Sequence, residues 1–474
     1  MKKYLTKIVL IIAILSFTIG SSEAQNAIDQ KAVEKFVNYY NQNKPDSLFQ
    51  LFDNSMKKVL SFDKTAEFIK GTKQQFGIIK TYTFLAYDKQ NKEVAIYKTQ
   101  FENSILTINI VTNENGSVEG LYLKPYVKEK KGNIVNTLYN FPKDISEAIY
   151  KKTKMLSEKT QLSVAIIKNG KVNYYGIVVK NDSIKSIKNQ NKIFEIGSIT
   201  KVFTSTVLAN LVTTDKVQLD KNINSHFDFP FNKGQKISFL DLANHTSGLP
   251  RLPSNLDLTK VNPHNPYKVY NADLLKEYLI KNLKSATSGT KKYEYSNLGT
   301  GLLLYTLSLF QNQSFENLLQ KNVFDKYQMT NTYTNRLNLK NELVKSFDEN
   351  GKELENWDFG VLFGAGGILS SVSDLSKFVL AHFSPSNKEL ALTRKETFSI
   401  NDNMKIGLGW HIVKLDKEQD VYWHNGGTGG YSSSLAFDIN KKNGVIILSN
   451  LSAFSPYNKN IDQLCFELIK QLNK

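Results

Sequence analysis

The spacing of hydrophobic positions changes period along the chain. Residues 27–41 carry apolar side chains at helical intervals, Ile28, Val33, Phe36, Val37 and Tyr40. Helical spacing returns over about 46–52 and 65–76. Four runs of strand character then follow at 81–87, 93–99, 104–111 and 118–123. Helices followed by a meander predict a small α+β domain over 26–125, with the helices packed on one antiparallel sheet. A basic joint containing Asn and Gly spans 126–141, with the boundary near 135.

Beyond the joint the pattern predicts a larger domain over 142–474. A helix over 144–158 precedes a hairpin, 162–168 and 172–179, turned at Asn169-Gly170. A short extended run, 193–196, stops at Gly197, and an apolar helix follows to 212. A short helix ends in residues 241–250 and opens a loop reaching about 270. This loop holds Pro250, Pro253, Pro263 and Pro266, and such a loop without structure of its own often borders a site. Helices are predicted at 298–310 and 372–383, and strands at 407–413, 421–424, 431–439 and 445–449. A closing helix has Ile461, Leu464, Cys465, Leu468 and Leu472 along one face.

Composition adds an address. Lys2, Lys3 and Lys7, the apolar stretch 8–17 and Ser22-Glu23-Ala24 before Gln25 form the three parts of a cleaved signal peptide over 1–24. The expectation is an exported protein, periplasmic or secreted. Cys465 is the sole cysteine, so no internal disulfide and no lipoprotein attachment point is expected, and its helical face makes it a core residue. The formal charge is +17, but the lysines are scattered. That pattern implies a solvated basic surface in loose association with anionic envelope polymers, and no nucleic-acid motif accompanies it. The histidines stand singly, without zinc-binding spacing, so neither a metal nor a cofactor is expected.

Candidate chemistry centres on Ser198. Lys201 lies three residues on, which brings an amine and a hydroxyl to one helical face. First-turn N–H groups and the helix dipole favour negative charge there. Ser-x-x-Lys alone is weak, recurring at Ser55, Ser61 and Ser288, but only Ser198 has a strand, a glycine and an apolar helix around it. Two further groups follow in order, Tyr295-Ser296-Asn297 and His424-Asn425-Gly426-Gly427. The glycine-rich stretch 425–430 leaves a strand edge bare enough for a substrate backbone. His245 reads as a structural residue in a turn. Gly364-Ala365-Gly366-Gly367 precedes a turn and the helix over 372–383, and with no strand–Gly-x-Gly-x-x-Gly–helix unit around it this is not a nucleotide loop.

Together the three motifs, with the flanks EIGSITK, ANHTSGLP, YSNLGTGLL, GAGGILSS, GLGW and WHNGGTGGYSS, resemble the serine hydrolase family of class C β-lactamases, DD-peptidases, D-amino-acid amidases and esterases. The resemblance covers roughly residues 140–474. It implies a five-stranded antiparallel sheet flanked by helices, a helical lobe carrying Tyr295, and a site between them. It also implies Ser198 as acylated nucleophile, with Lys201 and Tyr295 as proton acceptor and shuttle, the choice of base left open. Asn297 would bind Lys201 and a substrate amide, and the N–H groups of Ser198 and Gly427 would form an oxyanion hole beside Gly426. The substrate would be a small ester, amide or peptide. By element order, residues 26–125 resemble the nuclear transport factor 2-like domains often fused to secreted hydrolases. One position departs from the β-lactamase pattern, with His424 where Lys-Thr-Gly has its lysine. A largely neutral imidazole attracts a carboxylate far less than an ammonium does. Esterase or amidase action is therefore expected ahead of class C β-lactamase or DD-carboxypeptidase action, or of a penicillin-binding sensor without turnover.

Overall fold

A computed structural model describes residues 26–88, 93–126, 134–258, 260–284, 291–348, 351–416 and 419–473. The signal-peptide expectation falls outside these residues. The chain forms two compact units, one comprising residues 26–126 with 258 and 260–263, the other 134–257 and 264–473.

The first unit opens with helices Ala27–Asn41, Pro45–Gln50, Asn54–Val59 and Phe62–Phe76. Asn26 caps the first, its side chain accepting from the Ile28 N–H. Strands β1 (Ile79–Asp88), β2 (Val94–Phe101), β3 (Ile105–Thr112) and β4 (Val118–Pro125) pair in chain order, all antiparallel. Val33, Phe36 and Tyr40 pack on Tyr97, Phe101, Ile108 and Ile110, so the apolar stripe of the first helix covers one sheet face. The Asn54–Val59 helix was not predicted. None of its residues is buried, and so it carries no apolar stripe.

In the second unit one sheet runs through β11 (Phe398–Asn401), β12 (Met404–Ile406), β13 (His411–Asp416), β14 (Gln419–Gly427), β15 (Ser432–Asp438), β16 (Asn443–Ser449), β6 (Gln161–Lys168), β7 (Lys171–Val179), β8 (Ser183–Ile187) and β5 (Val135–Asn136). Every neighbouring pair is antiparallel except β5–β8. The sheet has ten strands where the family resemblance implied five. The additional strands lie mainly at its edges, where pairs such as Val135–Asn136 are too short to show a period in sequence. The joint expected over 126–141 also ends earlier, because Ile134 and Leu138 are buried in this unit's core.

Central strands are covered on both faces, and β15 and β16 are buried along their whole length. One face packs against helices Lys143–Thr153 and Lys459–Leu472, the latter contributing Leu464, Cys465 and Leu468. Cys465 is a buried core thiol, free of any disulfide. On the other face lies helix Val372–His382, with the His382 and Phe437 rings 4.8 Å apart. A two-stranded ribbon, β9 (Phe194–Glu195) with β10 (Leu369–Ser370), leads into the Thr200–Thr213 helix. That helix is buried almost all round, which explains its unbroken apolar run. Among the described residues no helix is long and apolar enough to cross a membrane.

Candidate active site

Ser198 sits in a tight turn, Gly197–Ile199, one step before the Thr200–Thr213 helix. Gly197 makes that turn with φ +52, and a Cβ there would lie 2.5 Å from the Gly427 nitrogen. A Cβ on Gly426 would lie 2.0 Å from the Ile196 carbonyl oxygen and 2.9 Å from the Ser198 nitrogen. The nucleophile turn and the end of β14 therefore meet backbone to backbone. Only glycines permit that approach, and it brings the Ser198 and Gly427 backbone nitrogens into the same contact.

Lys201 is completely buried. Its Nζ donates to Asn297 Oδ1 at 2.8 Å and the Ala365 carbonyl at 2.7 Å, and lies 3.1 Å from Ser198 Oγ. Burial pushes its pKa well below the usual lysine range, and the nearby Arg251 cation pushes the same way. A neutral amine keeps two hydrogens. The two carbonyl-type acceptors take them, which leaves the lone pair for the Ser198 hydroxyl. The glycine-rich segment expected only to precede a helix supplies the Ala365 carbonyl. Gly301 and Gly364 let this segment lie against the Asn297–Gln311 helix, since a Cβ would meet Leu362 Cα at 2.8 Å or Leu304 Cβ at 2.6 Å respectively.

Tyr295 is held from its flanks. Ser296 caps the Asn297–Gln311 helix through Gly299 N at 2.8 Å, and its hydroxyl donates to Pro250 O at 2.6 Å. His245 Nδ1 accepts from Ser296 N at 3.2 Å, and its ring lies 4.7 Å from that of Tyr295. Thus His245, at φ +62, positions the tyrosine turn, in keeping with its structural reading. The Tyr295 hydroxyl hydrogen-bonds Ser198. Burial raises its pKa, while the Arg251 charge and the Ser198 contact oppose the rise. Lys201 Nζ stands 4.8 Å from the Tyr295 ring centre and the Arg251 guanidinium 5.3 Å from it.

His424 is buried, and its Nδ1 lies 2.6 Å from the Asn425 carbonyl oxygen. A carbonyl can only accept, so Nδ1 carries the hydrogen. Nε2 has no partner and is shut from solvent. Burial drives the imidazole pKa well below its ordinary value, with the His411 and Lys201 charges adding to the effect. His411 faces it at 5.3 Å between ring centres and meets the Tyr293 hydroxyl at 2.8 Å. Burial brings the pKa of His411 down to about 4.

The structure thus gathers Ser198, Lys201, Tyr295, Asn297, His424, Gly426 and Gly427 in one place. Sequence reasoning missed Arg251, Tyr293, His411 and the Ala365 carbonyl. His411 follows the GLGW flank and pairs across strands with Trp423, which places it beside His424. Among the described residues no cluster of metal-binding side chains occurs.

Residues 154–464 match the family described as Beta-lactamase, and residues 33–121 match one described as Protein of unknown function (DUF3887). A β-lactamase of Pseudomonas fluorescens is 27% identical over 61% of this chain and 88% of its own length. One of Escherichia coli K12 is 21% identical over 66% and 91%. Among solved structures, the octameric penicillin-binding protein homologue from Pyrococcus abyssi shares the fold with a TM-score of 0.58 at 19% identity, over 69% of this chain and 76% of that one. With the larger unit matched almost throughout, the chain belongs to the β-lactamase family, among serine hydrolases of the β-lactamase and penicillin-binding type.

Proposed function

We propose that this protein is an exported hydrolase that cleaves an ester or amide bond, D-amino-acyl peptides included, through an acyl-enzyme on Ser198. The observation that carries the reading is the environment of Lys201, a buried amine whose Nζ lies within hydrogen-bond distance of Ser198 Oγ, Asn297 Oδ1 and the Ala365 carbonyl at once. Lys201 accepts the serine proton as Oγ attacks the carbonyl carbon. The opposite pKa directions of the two candidate bases favour the lysine, since burial moves the amine toward neutrality and holds the phenol protonated. Negative charge on the carbonyl oxygen is met by the N–H groups of Ser198 and Gly427. Tyr295, bonded to Ser198, passes a proton to the leaving group and then serves the incoming water. Asn297 orients Lys201 and binds a substrate amide.

The leader-like sequence at 1–24 supports export, and the +17 charge supports loose contact with anionic envelope polymers. The neutral environment of His424 favours substrates that need no cation at the strand edge, and weighs against efficient β-lactam turnover. A fluorophosphonate probe is expected to label the wild-type protein, with label and ester hydrolysis both lost in Ser198→Ala at unchanged melting temperature. Losses above about 10³-fold are the rule for such a nucleophile. Turnover within tenfold of wild type in Ser198→Ala would remove the serine from the mechanism. Labelling by a penicillin without turnover of any ester or amide would favour the sensor reading instead.

A further inference from the structure

The three motifs leave the charge at the mouth of the site unassigned. Lys201 is fully buried and committed to Ser198, Asn297 and Ala365. His424 and His411 are buried among aromatic rings. Arg251 differs from all of these. It is exposed, and it forms no ion pair with a carboxylate among the described residues. Its guanidinium lies 5.3 Å from the centre of the Tyr295 ring. Its backbone is fixed as well, since the Arg251 carbonyl accepts from Asn297 N at 3.0 Å and Leu298 N at 3.2 Å. The loop that presents the cation is therefore tied to the first turn of the helix that begins at Asn297.

We propose that Arg251 selects substrates whose leaving group carries a carboxylate. The inference rests on the hydrolase reading above, in which Tyr295 delivers a proton to the leaving group. The departing alcohol or amine must then lie against Tyr295, and the guanidinium lies over the same ring. Its planar donors match a carboxylate in two parallel hydrogen bonds, which no ammonium reproduces. Relatives with a lysine in the third motif place the cation on the strand edge. In this chain the equivalent charge comes from the loop that follows Pro250, over Tyr295.

The test uses two phenylacetyl esters, of 3-hydroxybenzoic acid and of 3-hydroxybenzamide, which differ in charge and hardly in shape. The measured quantity is the ratio of their kcat/KM values in wild type, Arg251→Gln and Arg251→Lys. A ratio cancels any effect that Arg251 has on both esters through Tyr295. Wild type should prefer the acid. Arg251→Gln should lower the ratio about tenfold, mainly through KM, the lower end for a charged hydrogen bond because the guanidinium is exposed. Arg251→Lys should recover part of the preference, and added salt should erode it in wild type. A ratio unchanged in Arg251→Gln overturns the proposal, even if both rates fall together. Binding of 3-hydroxybenzoate and 3-hydroxybenzamide to Ser198→Ala protein, followed by calorimetry, gives a readout that needs no acyl transfer. Tighter binding of the benzoate, abolished by adding Arg251→Gln, supports the proposal even if the hydrolase reading fails. Equal binding of the two refutes it.

Discussion

Replacing Gly426 by alanine tests the backbone contact on which the oxyanion site depends. A Cβ at this position would sit 2.0 Å from the Ile196 carbonyl oxygen, 2.5 Å from Ser433 Oγ and 2.9 Å from the Ser198 nitrogen, whereas ordinary contacts begin near 3.4 Å. The Ile196 oxygen is backbone and already accepts from Ser433 Oγ at 2.8 Å, so no flexible tip can move aside. β14 and the nucleophile turn must separate by about 1 Å, a misplacement that costs roughly 10²-fold in a preorganised site. Loss of one oxyanion donor costs roughly 10²–10³-fold. We therefore expect kcat/KM for a neutral ester and the rate of fluorophosphonate labelling to fall together by about 10²–10³. The same overpacking should cost about 1–3 kcal/mol in stability, read from a denaturant titration. Gly444→Ala in the same sheet is the control. Its Cβ would meet nothing closer than the Val379 side chain at 3.2 Å, so its stability should fall by less than about 1 kcal/mol and its labelling rate should hold. A Gly426→Ala protein that labels within about threefold of wild type would refute the view that Ser198 N and Gly427 N act as one unit.

The remaining expectations concern pH. His411 has a folded pKa of about 4 against an ordinary 6.5, so the unfolded chain takes up its proton first as pH falls. Its contribution is fully present above pH 6.5 and lost as pH falls to 4, on the order of 3 kcal/mol. His411→Gln should flatten the fall in urea midpoint between pH 7 and 4.5. The decline contributed by His424 would remain, and an unchanged slope would show that His411 takes up its proton in the fold. Because His424 is also held neutral, the ratio of kcat/KM for the carboxylate ester to that for its benzamide partner should stay level from pH 8 to 6. A ratio that rises as pH falls would identify a protonated imidazole, and not Arg251, as the carboxylate receptor.

Periodicity alone made much of this protein legible. The first helix and strand β2 show it best, because each buries a single face and so leaves a regular stripe. The same holds for the closing helix with Cys465, whereas the hairpin was legible from its Asn169-Gly170 turn between two apolar runs. Ser198, Tyr295, Asn297 and Gly427 stood out because their chemistry depends on residue type and local turn, both of which are written in the chain. Short edge strands such as Val135–Asn136 left no signal, since two residues cannot establish a period and their partners lie far away in sequence. Only the tertiary structure could bring Ala365 to Lys201, since a carbonyl has no residue type, and only folding could set Arg251 over Tyr295. The protonation of His411, His424 and Lys201 was equally beyond the sequence. A pKa reflects what surrounds a group, and these surroundings come from strands and loops up to hundreds of residues apart.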